Sequence, residues 1–439
     1  MTVPGTSTGR ERAGSDPGSG GGRGTRAASG SIRRAALPRA GGIWLAAAVF
    51  ALLFSAAAAP SPLYGVYQAQ WRFSAATLTA VFAVYALALL VTLLVFGSVS
   101  DYLGRRPVIL ASLVMAAGAC GLFLAAHGAG MLFAARALQG AAVGTATSAL
   151  GAALIDLQPE GSAIAPVITI AAGQLGLAAG GLGTSALVQY GPAPTRLIWW
   201  LLLGVSLAAA AAVPAMPETV TRRPGVLASL RPRVAVPRQA RATFAAALPC
   251  LIAAWMLSGF CLSLGPSLAA QVTGSPDLLW GGLVIFLVAG TGAAGPVVFR
   301  GVSGPSAMLA GGLALLAGAV LTLAAIETTS AAAFLAGVAV AGAGFGTAML
   351  GALRTISALA APGQRASLIA AIFIASYAAF SVPVVVAGVA VTHAGLHRTA
   401  LAYCAVIAVL AAGSLIVRGR SPVPGTRSSG GTSQRHAQS

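Results

Sequence analysis

Charged side chains are rare in this chain, and several of them lie together in segment 97–106. The chain is 57% hydrophobic and only 8% charged, yet this segment holds an acid at Asp101 and a base at Arg105. Side chains four residues apart face each other on a helix, so we expect an ion pair if the helix continues through this segment. A further acid at the end of a later apolar segment can join the pair. We therefore predict one cluster, formed by Gly97, Asp101, Gly104, Arg105, Arg106 and Asp156.

A second set of polar side chains lies within long apolar segments. Arg136 is the clearest case, because a charged side chain inside an apolar helix is a candidate for function by default. The alternative is that this arginine extends to a nearby polar interface and has no further role. We expect a mostly apolar cavity with few hydrogen-bonding groups. The candidates that line it are Tyr85, Arg136, Gln139, Gln174, Trp255 and Tyr377.

Long apolar segments carry these residues. We place twelve of them, each of about 20 residues or more, the length at which a helix spans about 30 Å of hydrocarbon. Mean hydropathy is +0.87 over 439 residues, which excludes an ordinary soluble protein. The segments do not alternate apolar and polar residues as the strands of a membrane barrel do. We predict an all-α polytopic membrane protein with spans at 43–66, 75–98, 107–126, 131–155, 163–189, 196–215, 244–270, 279–299, 305–326, 331–353, 365–391 and 397–417.

The arginines indicate the orientation of these segments. All 26 basic residues are arginines, and the net charge is +18. Most of them lie in the tails, in segment 97–106 and in the central loop, which the twelve segments place on one side. Only Arg72, Arg196 and Arg398 fall on the other side. Because loops rich in arginine stay in the cytoplasm, we predict a cell-membrane protein with both termini cytoplasmic, and we do not expect nucleic acid as a partner.

The chain divides into two similar halves. The first segment contains Pro60 after a phenylalanine and five further residues, and the seventh contains Pro266 in the same setting. Val143–Ala146 in the fourth segment likewise matches Phe345–Ala348 in the tenth. Such matches are typical of parallel six-helix repeats. The predicted organisation is a disordered Arg/Gly/Ser-rich tail at 1–42, a six-helix bundle at 43–216, a linker at 217–243, a second bundle at 244–417 and a disordered tail at 418–439.

Segment 97–106 resembles the signature loop of the major facilitator superfamily of secondary transporters. That loop has a glycine, three residues, an acid, two residues, a glycine and then basic residues. The same order is found here, although Tyr102 stands at a position that is often basic. The resemblance extends to Arg136-Ala-Leu-Gln139-Gly140 and to Pro217-Glu218-Thr219, and it covers residues 43–417. It implies the fold of this family, in which two six-helix bundles rock against each other.

The same resemblance assigns a role to the loop. In the family its acid docks near the start of helix eleven, here Pro362-Gly-Gln364, where free N–H groups favour a carboxylate. With Asp156, the loop would then latch the two halves together on the cytoplasmic side and open as they rock. The alternative is that Arg105 and Arg106 only set the orientation of the chain, and that Asp101 is only their solvated partner.

Glycines on the fourth and fifth segments favour close helix contacts. The fifth segment reads Gly176-Leu-Ala-Ala-Gly180-Gly181, which resembles the Gly-Pro-x-x-Gly-Gly motif of proton-coupled drug exporters with Leu177 in place of the proline. Plain helix packing explains this segment equally well. The predicted packing positions are Gly140, Gly144, Gly176, Gly180 and Gly181.

The distribution of acids limits the chemistry. All eight acids lie outside the middle of the segments, so the buried carboxylate that carries the proton in many proton-coupled relatives is missing. We expect no cofactor, and proton coupling stays open. The sequence has no Walker motif, no nucleophile–base arrangement and no metal-ligand spacing, which argues against ATP-driven transport, an enzyme and a metal site. The four cysteines fall in apolar segments without disulfide or metal spacing.

These features predict a secondary active transporter that works by alternating access and exports small hydrophobic compounds or drugs, with proton antiport as one mode of coupling. Uptake or facilitated diffusion of a metabolite by the same fold is an alternative. A non-transporting membrane sensor is an alternative of another class, and deletion of residues 1–40 would separate it from a transporter. We expect a monomer whose partners are its small-molecule substrate and the lipid bilayer.

Overall fold

The computed structural model of the chain describes residues 37–162, 164–231, 234–359 and 365–419. This part of the chain is helical and contains no β-strand. Of the predicted tails at 1–42 and 418–439, residues 1–36 and 420–439 lie outside it, whereas residues 39–42 and 418–419 are helical. The helices are α1 (Arg39–Ala58), α2 (Pro60–Trp71), α3 (Ala75–Phe96), α4 (Ser100–Leu103), α5 (Arg105–Leu124), α6 (Ala129–Leu157), α7 (Ala165–Tyr190), α8 (Leu197–Ala212), α9 (Val226–Ser229), α10 (Arg241–Ser263), α11 (Gly265–Thr273), α12 (Leu278–Val298), α13 (Gly304–Thr328), α14 (Ala331–Ser357) and α15 (Arg365–Gly419).

Eleven helical segments within the described residues are long and apolar enough to cross a membrane. The last of them spans 50 residues of α15, and about 75 Å of helix is far longer than a hydrocarbon core of about 30 Å. Gly395 interrupts α15 with φ 78° and ψ 163°, a conformation that is not helical and that favours glycine. The helix α15 is therefore two crossings joined at Gly395. The prediction of an all-α fold with twelve crossings is confirmed.

Prolines divide the first and the seventh crossings into two helices each. Pro60 begins α2 directly after α1, and Pro266 lies in the first turn of α11, directly after α10. A proline has no N–H group, so the carbonyl four residues before it loses its usual helical donor. In the first half this carbonyl belongs to Ala56. Because buried carbonyls are almost always hydrogen-bonded, a donor from outside the helix can replace the one that the proline removes.

The two ends of the bundle carry different loops. We call the linker side the end with segment 97–104 and the linker at 216–240, and the far side the end with the turns at 72–74, 125–128 and 191–196. The helix α6 runs from the far side to the linker side. Arg136 therefore lies about 10 Å from the far-side end of α6, and Asp156 lies at its linker-side end.

Two helix pairs form most of the contact between the first six crossings and the last six. The helix α7 packs against α12, and α3 packs against α15. Near the far side, the backbone N–H of Leu278 on α12 donates to Gln189 of α7 (3.3 Å). Between α3 and α15, Phe82 lies on Phe380 with ring centroids 5.0 Å apart. The two halves are thus in direct contact, while the boundaries given above for the two bundles stay predictions.

Candidate functional site

Two groups of side chains have the geometry of a functional site. The linker-side cluster consists of Ser100, Asp101, Arg105, Asp156, Glu218 and Thr219. The arginine pocket lies inside the bundle and consists of Tyr64, Phe82, Tyr85, Arg136 and Gln139.

The linker-side cluster is built on a break between α4 and α5. Gly104 has φ 98° at this break, a region that favours glycine. A Cβ on Gly104 would lie 2.9 Å from a carboxylate oxygen of Glu218, so a side chain is also excluded by space. The helix does not continue from Asp101 to Arg105, because the chain turns at Gly104. The ion pair between them forms across the turn instead.

Arg105 is the centre of this cluster and is only 7% exposed. Its Nη1 donates to Asp101 Oδ1 (2.5 Å) and to Ser100 Oγ (2.6 Å). Its Nε donates to Asp156 Oδ2 (3.1 Å). Charge-assisted hydrogen bonds of this kind offset the free-energy cost of burying a guanidinium. Because the two carboxylates come from α4 and α6, one side chain connects α4, α5 and α6.

Glu218 completes the cluster from the segment that follows α8. Its Oε1 accepts from the backbone N–H of Arg105 (2.9 Å), and its Oε2 accepts from that of Arg106 (3.0 Å). These first N–H groups of α5 have no partner within the helix and form the positive end of its dipole. Thr219 donates its hydroxyl to Asp156 Oδ2 (2.7 Å). Glu218 and Thr219 therefore attach the linker to α5 and α6.

The role of Glu218 was missed from sequence, although Pro217-Glu218-Thr219 stood out as a family segment. A signal was present, because the residue before α5 is Gly104, which has no side chain to cap the helix. The sequence could not say which acceptor replaces the cap. Arg106 joins the cluster through its backbone N–H, and Gly97 ends α3 outside these contacts. The predicted docking of Asp101 at 362–364 falls outside the described residues.

In the arginine pocket, two side chains of α6 bind carbonyls at the Pro60 break. Gln139 Nε2 donates to the carbonyl of Ala56 (2.8 Å). Arg136 Nη1 donates to the carbonyl of Ala57 (2.9 Å) and to Gln139 Oε1 (2.6 Å). Both side chains are 1% exposed. Arg136 thus points into the bundle and does not extend to a polar interface.

Aromatic rings surround the guanidinium of Arg136. Its Cζ lies 4.3 Å from the ring centroid of Tyr85. The corresponding distances to Phe82 and Tyr64 are 5.6 Å and 5.8 Å. A cation beside a ring face is attracted electrostatically, and more strongly where water is absent. Within the described residues no carboxylate pairs with Arg136, so rings and neutral oxygens are the only compensation for its charge.

The ring system continues into the second half. Phe380, which lies on Phe82, has ring centroids 5.9 Å from Trp255 and 6.3 Å from Tyr377. The rings of Trp255 and Tyr377 are 5.0 Å apart. One chain of contacts therefore connects five of the six predicted cavity residues: Tyr85, Arg136, Gln139, Trp255 and Tyr377.

Gln174 is the predicted cavity residue that lies elsewhere. It is on α7 and is 8% exposed. A Cβ on Gly292 of α12 would lie 3.5 Å from its amide nitrogen. Gln174 therefore belongs to the α7–α12 contact between the halves.

The glycines predicted for packing lie at close helix contacts. On α6, a Cβ on either Gly140 or Gly144 would collide with backbone carbonyls of α3. On α7, a Cβ on either Gly176 or Gly180 would collide with backbone carbonyls of α1. Gly181 instead faces Ile285 of α12, across the contact between the halves.

Ionisable groups that could do other chemistry are few. The described residues contain no group of His, Cys, Asp or Glu that could hold a metal ion. All four cysteines are buried, and none forms a disulfide. The acids of this part of the chain lie at helix ends or in loops: Asp101, Asp156, Glu160, Glu218, Asp277 and Glu327.

Residues 43–382, well over half of the chain, match the protein family described as the Major Facilitator Superfamily. The chain belongs to this superfamily. Its structure is similar to that of the human organic anion transporter MFSD10 (TETRAN), with a TM-score of 0.60, 18% sequence identity, and coverage of 86% of this chain and 100% of that chain. At this identity the similarity shows the shared fold alone. No curated protein sequence matches this chain.

Membership in the major facilitator superfamily makes the chain a multi-pass membrane protein and a transporter, not an enzyme. The predicted family and fold are confirmed. Its linker-side cluster occupies the loop between the second and third crossings, and its arginine pocket lies between the first, second and fourth crossings.

Proposed function

We propose that this superfamily member is a secondary active carrier that exports small, largely apolar compounds by alternating access, with protons moving in the opposite direction. The linker-side cluster carries the proposal. The Asp101 side chain is 55% exposed although one of its oxygens binds the buried Arg105. The exposed carboxylate of Asp101 can therefore bind a partner from the second half. A contact that forms and breaks as the halves move requires such an accessible group.

The interior supports a largely apolar cargo. The rings of Phe82, Phe380, Trp255 and Tyr377 meet where the two halves contact each other. A lining of this kind, apolar with a few placed polar groups, suits small organic molecules once the halves separate. The glycine-rich face of α7, which resembles that of drug exporters, supports export as the direction.

The same proposal includes the orientation and the assembly of the carrier. We place the linker side, with its excess of arginines, in the cytoplasm of the cell, so that both termini are cytoplasmic. The two six-helix halves of one chain form the transport path between them, so a monomer is sufficient for activity.

Purified protein in liposomes tests the proposal. A pH gradient is imposed, a panel of small apolar compounds is supplied on one side, and compound movement is recorded together with the pH inside the vesicles. We expect movement driven by the gradient and matched by a change of internal pH. The Asp101→Asn variant, reconstituted in equal amount, is the control with impaired transport.

Two results would overturn parts of this proposal. Movement that does not depend on the pH gradient removes proton antiport but leaves the carrier. No movement of any compound by protein that is folded and correctly inserted removes the carrier itself.

A further inference from the structure

We infer that the arginine pocket binds a negative charge, and that the preferred cargo is therefore a small organic anion with an apolar, ring-containing body. This inference rests on the proposed function, because it names the class of compound that the carrier moves. It is drawn from the charge of Arg136, from the unpartnered donors beside it and from the rings that lead away from it.

Arg136 has a charge that its surroundings compensate only in part. It is 1% exposed, and no described residue offers it a carboxylate. Burial of a charge without an opposite charge is unfavourable. An anion that entered the pocket would supply the missing charge, and the attraction would be strong because the site is shielded from water.

Two hydrogen-bonding groups in the pocket have no well-formed hydrogen bond. The Nε of Arg136 and the hydroxyl of Tyr64 are both buried; the two side chains interact with each other, but neither atom has a hydrogen bond of good geometry to a described residue. Buried polar atoms are nearly always hydrogen-bonded, so such a pair calls for an acceptor. Nη1 of the same guanidinium is already bound to Ala57 and Gln139, which fixes its position. A carboxylate or sulfonate has acceptor oxygens for both free groups.

The second half shows that the fold does not require this charge. The matched segments Val143–Ala146 and Phe345–Ala348 place Val338 and Ala341 of α14 at the positions of Arg136 and Gln139. Both residues are buried and apolar. The second half has the same proline break, at Pro266, and is folded without an arginine or an amide at these positions. Packing of the helices therefore does not by itself explain why an arginine stands at position 136.

The body of the cargo is expected to lie along the rings. From Arg136 the contacts lead over Phe82 and Phe380 to Trp255, whose buried indole Nε1 also lacks a partner in the described residues. Because Phe82 and Phe380 belong to different halves, separation of the halves would open the space between them. An elongated molecule with an anionic head and an aromatic body fits this order of groups.

Equilibrium binding to the detergent-purified full-length protein tests the inference without any transport. The probes are tritiated 2-naphthalenesulfonate, a permanent anion, and 2-naphthalenesulfonamide, its neutral analogue of nearly the same shape. We expect the wild type to bind the sulfonate at least about tenfold more tightly, which corresponds to about 1.4 kcal/mol. Arg136→Gln should abolish this preference, and Arg136→Lys should keep part of it.

Matched variants separate the pocket from general effects of charge. Arg196→Gln removes an exposed arginine on the far side, and its preference should equal that of the wild type. Tyr64→Phe removes only the buried hydroxyl beside Arg136 and should lower the affinity for the sulfonate several-fold, and by more than the affinity for the sulfonamide, whose sulfonyl oxygens are uncharged acceptors. This variant keeps the test decisive if Arg136→Gln fails to fold.

Equal affinities for the two probes in the wild type, or no measurable binding of the sulfonate, overturn the inference. An anion preference that survives Arg136→Gln, or that is unchanged in Tyr64→Phe, also overturns it, because the anion would then bind elsewhere. None of these results bears on whether the protein transports neutral compounds, so the carrier proposal is judged by the liposome assay alone.

Discussion

The side-chain amide of Gln139 donates to the backbone carbonyl of Ala56, the same carbonyl that Pro60 deprives of its helical donor (2.8 Å). A proline break in the first crossing is thus satisfied from the fourth crossing. Both groups are buried, so the bond replaces a lost helical bond in a place that water does not reach.

This relationship predicts that Gln139 and Pro60 are energetically coupled. Gln139→Leu leaves the Ala56 carbonyl buried without its donor and should lower the free energy of unfolding by about 1–3 kcal/mol. In a Pro60→Ala background the new N–H group can bond to Ala56, so the same substitution should cost less. Thermal unfolding of the four detergent-purified proteins measures the coupling. Equal losses in both backgrounds would contradict it.

Glu218 should stabilise the start of α5. Glu218→Ala removes the acceptor of the first two N–H groups and is expected to cost about 1–2 kcal/mol, as loss of a helix cap does. The measurement is the thermal midpoint of the purified protein. Glu160→Ala is the control, because Glu160 is an exposed acid on the same side of the bundle. If both variants unfold at the same temperature, Glu218 does not cap the helix.

Asp101→Asn should impair transport without preventing insertion. Asparagine has nearly the same shape and keeps an acceptor oxygen but has no charge, so it loses the ion pair with Arg105 and the charge attraction to a positive helix end in the second half. We expect initial transport rates to fall on the order of tenfold, the effect of about 1.4 kcal/mol. Rates are measured in liposomes with equal amounts of inserted protein, and exposed Arg222 supplies the control variant Arg222→Gln. Transport at the wild-type rate would exclude a role for Asp101 as a latch.

Two glycines of α6 should respond differently to alanine. In Gly144→Ala the new Cβ would collide with the backbone of α3, whereas in Gly151→Ala it would meet nothing within 4 Å. Overpacking of a close contact costs about 1–3 kcal/mol, so only Gly144→Ala should lower the thermal midpoint. The same shift in both variants would show that helix propensity, not packing, sets the effect.

A covalent link across the far side should stop the transport cycle. Gln189 and Leu278 belong to different halves and are in hydrogen-bond contact. Gln189→Cys and Leu278→Cys, joined by a short thiol-specific crosslinker, should abolish transport, and reduction of the link should restore it. Each single variant treated with the same reagent is the control, since the four natural cysteines are buried. Transport by the linked protein is incompatible with alternating access.

The positions of the crossings and of the charged loop were predictable because they are local properties. Apolar runs of membrane-spanning length and the order Gly97, Asp101, Gly104, Arg105 can be recognised without knowing any contact. The spacing of Asp101 and Arg105 predicted their ion pair for a helix that continues, but the periodicity of a helix cannot show that Gly104 turns the chain. Gln174 was grouped with the cavity residues since its depth in the membrane matched theirs, whereas its helix face directs it to α12.

The sequence by itself determined the class of protein and the number of its crossings, since both follow from residues adjacent in the chain. The tertiary structure alone decided the partners. Glu218 caps α5 across 113 residues, and Gln139 reaches Ala56 across 83 residues. A proline shows that a carbonyl loses its donor, and a glycine shows that a helix lacks a cap. The group that replaces each is selected by the packing of distant helices.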